Sequence, residues 1–160
     1  MTLRLRSLVF IAAAFTVPAI AQVPPPAEAP SPKFDAALAA QVGADEHGMR
    51  SYVLVILKTG PNRMPDGPRR DAMFQGHFAN MKRLSDEGKP ALAGPFDGVD
   101  GWRGLFIFGV EEIEEAKRLV ATDPVVASGE MVPEFHKYFG SAALMLVPKA
   151  HETVQQKPFP

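Results

Sequence analysis

Residues 52–57 read Tyr-Val-Leu-Val-Ile-Leu, a run of β-branched and aliphatic side chains with no polar alternation. A strand with one wet face alternates polar and apolar positions, whereas a strand covered on both faces is continuously apolar. Residues 52–57 are therefore expected to be a central strand, in a domain that begins near Met49. Thr59-Gly-Pro-Asn-Arg63 and the Pro, Gly and Asp residues up to Gly67 then read as a loop.

Working towards the C-terminus, Arg69–Glu87 places Phe74, Phe78, Met81 and Leu84 at i, i+4, i+7 and i+10, an apolar stripe of helical period. Gly88 is the expected C-cap. Pro90–Phe96 reads as a short second strand, Asp97–Gly101 as a turn, and Arg103–Val110 as a third strand centred on Leu-Phe-Ile-Phe. Glu111–Ala121 is a second helix, with four acids in its first turns to suit the positive end of the helix dipole, and Thr122-Asp-Pro124 stops it. Met131–Phe139 is a fourth strand, placed at a sheet edge by Pro133, and Ser141–Val147 adds a short fifth. After Lys149 the chain reads as a loose polar tail.

The order β-α-β-β-α-β is the plan of an α+β, ferredoxin-like sandwich, with both helices on one face of the sheet. Strands this apolar leave an opposite face that must also be covered. A homodimer packed sheet against sheet is the expected solution.

Upstream of the domain, residues 34–48 read as a short helical extension outside the main fold, with Phe34, Leu38 and Val42 in helical spacing. Residues 22–33 form a proline-rich linker of polyproline II character. Arg4 and Arg6, the apolar run Leu8–Val17, and Ala19-Ile-Ala21 make a positive region, a hydrophobic region and a small-x-small site. That combination predicts a cleavable secretory signal over residues 1–21, cut after Ala21, and a periplasmic or secreted product. The run is too short to cross a bilayer, which takes about 20 apolar residues, so no stable membrane insertion is expected once the signal is removed.

The chain has no cysteine, which excludes disulfides, thiolate metal sites and a cysteine nucleophile. With 17 basic and 18 acidic residues and no basic stripe, no nucleic-acid partner is expected. His47, His136 and His151 are scattered, and HExxH, GxGxxG, GxxxxGK[ST] and GxSxG are all absent, so no metal and no cofactor are expected.

The ordered set Tyr52–Arg63, His77, Glu87-Gly88, Ala93-Gly-Pro95, Gly104-Leu-Phe-Ile-Phe108, Glu114–Val120 and Thr122-Asp-Pro124 resembles the YCII-related (YciI-like) family. Gly43–Met49 and Tyr138–Leu144 resemble its exported branch. The resemblance spans roughly residues 34–147. It implies a ferredoxin-like domain of the dimeric α+β barrel superfamily, with a histidine and an aspartate proposed as a catalytic pair in a pocket. A relative resembling this family removes chloride from a chlorinated muconolactone, so small organic acids or lactones are the implied ligand class.

His77 is the first candidate for chemistry. At about 100° per residue it lies roughly 40° from Met81 and 20° from Leu84 around the helix, inside the apolar stripe. There it is either a core histidine bonded to a backbone carbonyl or a pocket histidine that gives and takes a proton. Its partner is Asp97, after the Gly-Pro that ends the second strand, with Asp123 as competitor; each could equally be a turn aspartate binding its own backbone. Asn62, Arg63 and Arg103 are candidate contacts for a substrate carboxylate, and Phe96 and Trp102 candidate pocket walls. The alternative is a non-catalytic module that binds a small molecule or serves another exported protein.

Overall fold

The strand at residues 52–57 lies inside β1 (Met49–Thr59), which runs through the middle of a four-stranded antiparallel sheet. The computed structural model describes residues 33–157; the expected signal (1–21) and nearly all of the linker (22–33) lie outside them. β3 (Trp102–Phe108) pairs with one side of β1 and β4 (Met131–Ser141) with the other, while β2 (Pro90–Pro95) lies beyond β3. α2 (Pro68–Asp86) connects β1 to β2, and α3 (Ile113–Val120) with the single turn α4 (Pro124–Ala127) connects β3 to β4. This is the ferredoxin-like α+β arrangement expected from the element order.

Strand register assigns the two faces. Val53 opposes Phe108 and Val55 opposes Phe106, and these side chains form the core with Met73 and Leu84 of α2, Ala116 and Val120 of α3, and Val125 of α4. The two phenylalanine rings stack with centroids 5.3 Å apart. Full burial of one such side chain contributes about 1.5–3 kcal/mol, so this layer is the main source of stability. On the other face Tyr52 is also fully buried: its hydroxyl donates to the Ser141 carbonyl (2.8 Å), and Arg50 lies over its ring at 5.2 Å. Central placement and burial on both faces are therefore found where the unbroken apolar run placed them. Pro133 sits on β4, an edge strand, as expected.

Several expectations are corrected. The buried line of α2 is Met73, His77, Asn80 and Leu84, while Phe74, Phe78 and Met81 flank it half-buried. The helix has turned so that two polar residues enter its packed seam. α1 (Ala36–Gln41) is not independent of the fold: Arg50 donates to the Val42 carbonyl at its C-cap (2.7 Å) and to the Gly109 carbonyl after β3 (3.0 Å). In place of a fifth strand, Ala142–Leu146 is a 3-10 turn, started by Ser141, whose hydroxyl accepts the Ala143 amide. The expected loose tail is α5 (Val147–Val154), with Pro148 in the first turn, where its missing N–H is not needed.

The loop after β1 is fastened to the start of β4. Gly60 donates to the Glu130 carbonyl (2.8 Å) and Asn62 to the Gly129 carbonyl (3.1 Å). A Cβ at position 60 would lie 2.1 Å from the Gly129 oxygen, so this approach is open only to glycine. The Glu130 side chain has no exposure; it accepts from the Met64 amide (2.6 Å) and from Arg70 Nη2 (2.8 Å) and Nε (3.3 Å). Burial pushes the Glu130 carboxyl up, but the Met64 amide and the charges of Arg70 and Arg103 outweigh it and hold it below the usual glutamate range.

Glu130→Ala, which leaves the Met64 amide without its acceptor and Arg70 with only the exposed Asp66 carboxylate (3.1 Å), is expected to lower the unfolding free energy by about 1–3 kcal/mol in urea titrations at neutral pH. A group whose folded value is depressed stabilises above its unfolded value and loses that contribution as pH falls through the folded one. The gap between wild type and Glu130→Ala should therefore narrow on acidification below the ordinary glutamate range.

Candidate functional site

His77 lies at mid-helix on the buried line of α2 and faces the turn that ends α3. That turn is fixed locally. Asp123 caps α4, its Oδ1 accepting the Val125 amide at 3.1 Å, and Pro124 supplies the first residue of the helix. α2 and α4 come close because residue 76 is glycine: a Cβ there would lie 3.1 Å from Pro124 Cγ. The second oxygen of Asp123 then lies 2.7 Å from His77 Nδ1.

The pair is almost out of solvent, with His77 8% and Asp123 2% exposed. An ionised carboxylate can only accept, so Nδ1 carries the proton and donates it to Oδ2. In the neutral ring Nε2 is then the basic nitrogen. Nε2 has no hydrogen-bond partner among the described residues, and the only side-chain polar atom among them that is both buried and unpartnered is Asn80 Nδ2. The His77 side chain keeps 11% of its surface exposed while Nδ1 is engaged. Phe74 meets the ring edge-on at 6.1 Å and Phe78 lies 5.4 Å away, so the imidazole sits between hydrocarbon and one carboxylate. Such a group can accept a proton at Nε2 and have the resulting positive charge balanced at Nδ1.

Of the two acids considered as partner, Asp123 is the one beside His77. Asp97 lies in the exposed turn after β2, and its Oδ1 accepts the Val99 amide at 3.1 Å, a local Asx turn. Phe96 and Trp102 pack on each other at that hairpin, centroids 5.4 Å apart, both more than a third exposed. Arg103 is half-buried, close enough to Glu130 for its charge to act there. Asn62 and Arg63 are exposed on the loop after β1, and the Asn62 side chain reaches the Ser128 carbonyl at 3.4 Å. On the sheet face away from the helices, His136 Nε2 lies 2.7 Å from Glu134, which also pairs with Lys58. The Lys58 bond, followed by that of His136, holds the Glu134 carboxyl below its usual range. Among the described residues no group of three or more His, Cys, Asp or Glu side chains is disposed to hold a metal ion, and no helix is long and apolar enough to cross a membrane.

Two surface clefts lie apart from the pair. One, of about 450 Å³, is lined by Arg50, Lys89, Glu111, Glu112 and Glu115 among others; the other, of about 310 Å³, by residues 64–69. Neither touches His77 or Asp123. Sequence reading missed the polar cluster beside the pair, formed by Asn80, Arg83 and Thr122. Asn80 lies three residues after His77, so its helical offset was the available signal.

A model of the YCII-related domain matches residues 51–133, which contain most of β1, both crossover helices, His77 and Asp123. The uncharacterized protein YjpA of Bacillus subtilis (strain 168) is 35% identical to the chain over 54 residues, 34% of this chain. The chain spans 61% of the length of that relative.

With ¹⁵N-labelled histidine, the neutral His77 ring should show its proton on Nδ1. Asp123→Asn should move the proton largely to Nε2, the tautomer usual for an unconstrained imidazole. A ring already protonated at Nε2 in the wild type would contradict the geometry.

Proposed function

The chain belongs to the YCII-related family, and from that membership and the geometry of its buried imidazole we propose that it is an exported homodimer whose His77 does acid–base work on a small organic acid or lactone. The 2.7 Å contact between His77 Nδ1 and Asp123 carries this reading. In the proposed step Nε2 takes a proton from the ligand or from an attacking water, and the imidazolium returns it to the departing oxygen or to the neighbouring carbon. Asp123 keeps the ring in the reactive tautomer and balances its charge in a site largely closed to water. The step conserves protons and electrons without a cofactor. Arg103 and Arg63 are the proposed contacts for a ligand carboxylate, with Asn62, Phe96 and Trp102 bordering them.

Export rests on residues 1–21. Dimerisation draws support from the sheet face away from the helices, where Leu92, Val132 and Tyr138 are 37–40% exposed and Leu54, Leu105 and Ile107 only half-buried. A second copy laid on that face would cover them. The second reading is a non-catalytic binding or accessory dimer, in which the His77–Asp123 pair holds a ligand or the fold without moving a proton.

Intact-mass analysis of the protein recovered from the periplasm is expected to begin at Gln22. Turnover would be sought with a panel of five-membered unsaturated lactones, with and without a chloro substituent, and the corresponding acids. His77→Gln should lower it at least about 100-fold, the usual worth of general acid–base catalysis, with an unchanged elution volume. Saturable binding with no turnover anywhere in the panel would favour the second reading, and full activity in His77→Gln would end the first.

A further inference from the structure

Three side chains that the acid–base reading leaves unused meet at the turn carrying Asp123. Arg83, on the last turns of α2, donates through the same Nη2 to Asn80 Oδ1 (2.8 Å) and to Thr122 Oγ1 (2.9 Å). The Thr122 hydroxyl lies 2.9 Å from that Asn80 oxygen and 2.6 Å from the Leu119 carbonyl, with one proton to offer. Arg83 is itself held by Glu87 through Nη1 (2.6 Å).

This knot fixes the Asn80 amide. Turning it over would set its NH₂ against the guanidinium. The consequence is an orphan: Asn80 is 9% exposed, and Nδ2 is buried with no partner. An unpaired buried donor is costly, so its retention calls for a reason beyond packing. A leucine at position 80 would fit an apolar seam without that cost. The reason lies one residue along the chain. Asp123 must direct Oδ1 to its own cap and Oδ2 to His77 at once, and this fails if the turn drifts or twists. His77 grips the turn at Asp123, while Asn80 and Arg83, one and two helical turns further along α2, grip it at Thr122.

We propose that Asn80, with Arg83 and Thr122, is a positioning device: it locks the 122–123 turn so that the Asp123 carboxylate holds His77 protonated on Nδ1. Its functional meaning rests on the acid–base reading of the pair, but its readout does not. None of the three touches a ligand in this role.

Asn80→Leu, Thr122→Val and Thr122→Ser test it. Asn80→Leu should fold with a melting temperature equal to or above that of the wild type, since the orphan donor is gone. Its ¹⁵N-histidine spectrum should nevertheless show His77 as a mixture of tautomers. Thr122→Val should give the same mixture, and Thr122→Ser, which keeps the hydroxyl, should restore the wild-type spectrum. If a substrate from the lactone panel is turned over, kcat should fall about tenfold in Asn80→Leu and Thr122→Val with little change in KM. Should Asn80→Leu fail to fold, the Thr122 pair carries the same comparison. A wild-type tautomer pattern in both Thr122→Val and folded Asn80→Leu overturns the proposal even if His77→Gln is inactive. A wild type with no turnover overturns only the catalytic reading, and the tautomer comparison still decides this one.

Discussion

β1 has no edge to spare and little of either face. Both edges are hydrogen-bonded, to β3 and to β4, and both faces are covered over most of the strand's middle. A backbone so enclosed can satisfy its polar groups only within the sheet, which makes the pairing of β1 the constraint from which the remaining placements follow. The return to β2 has to cross over the sheet, so α2 is laid across Val53, Val55 and the two stacked phenylalanines. The second crossover must fit beside the first, and its end falls against the middle of α2. The site is the meeting place of these two crossovers.

That meeting place is unusual for a helix seam because its centre is polar. Met73 and Leu84 pack conventionally at the ends of the buried line, while His77 and Asn80 occupy its middle. A buried polar group stabilises only when it is partnered. Here the partners come from one short turn and from one arginine of the same helix. Orientation in this region is thus set by hydrogen bonds, which are directional, and less by hydrocarbon contact, which tolerates sliding.

Much of the fold could be read from the chain because it is encoded in local periods. The unbroken apolar run at residues 52–57 marks the central strand, Pro133 marks the edge, and Gly88 and Thr122-Asp-Pro124 mark where helices stop, although the single turn that Pro124 begins was not expected. The C-terminal segment was harder. Ala-Ala-Leu-Met-Leu-Val at residues 142–147 is as apolar as a strand, and only the Ser141 cap, seen in three dimensions, turns it into a helical coil. The site was half legible. His77 stands out because an imidazole inside an apolar stripe needs an explanation. Its partner did not, since Asp97 and Asp123 both look like turn residues in sequence, and both are. Asp97 satisfies one backbone amide and stops there; Asp123 does so and has an oxygen left over, a difference that depends on the Gly76–Pro124 approach.

That leftover oxygen ties local helix formation to the state of the imidazole. One carboxylate serves both the first amide of α4 and the ring of His77, so the capped turn and the ring share a single source of negative charge. A change that displaces the cap therefore displaces the ring's partner as well, and a change that turns the ring disturbs the carboxylate that starts the helix.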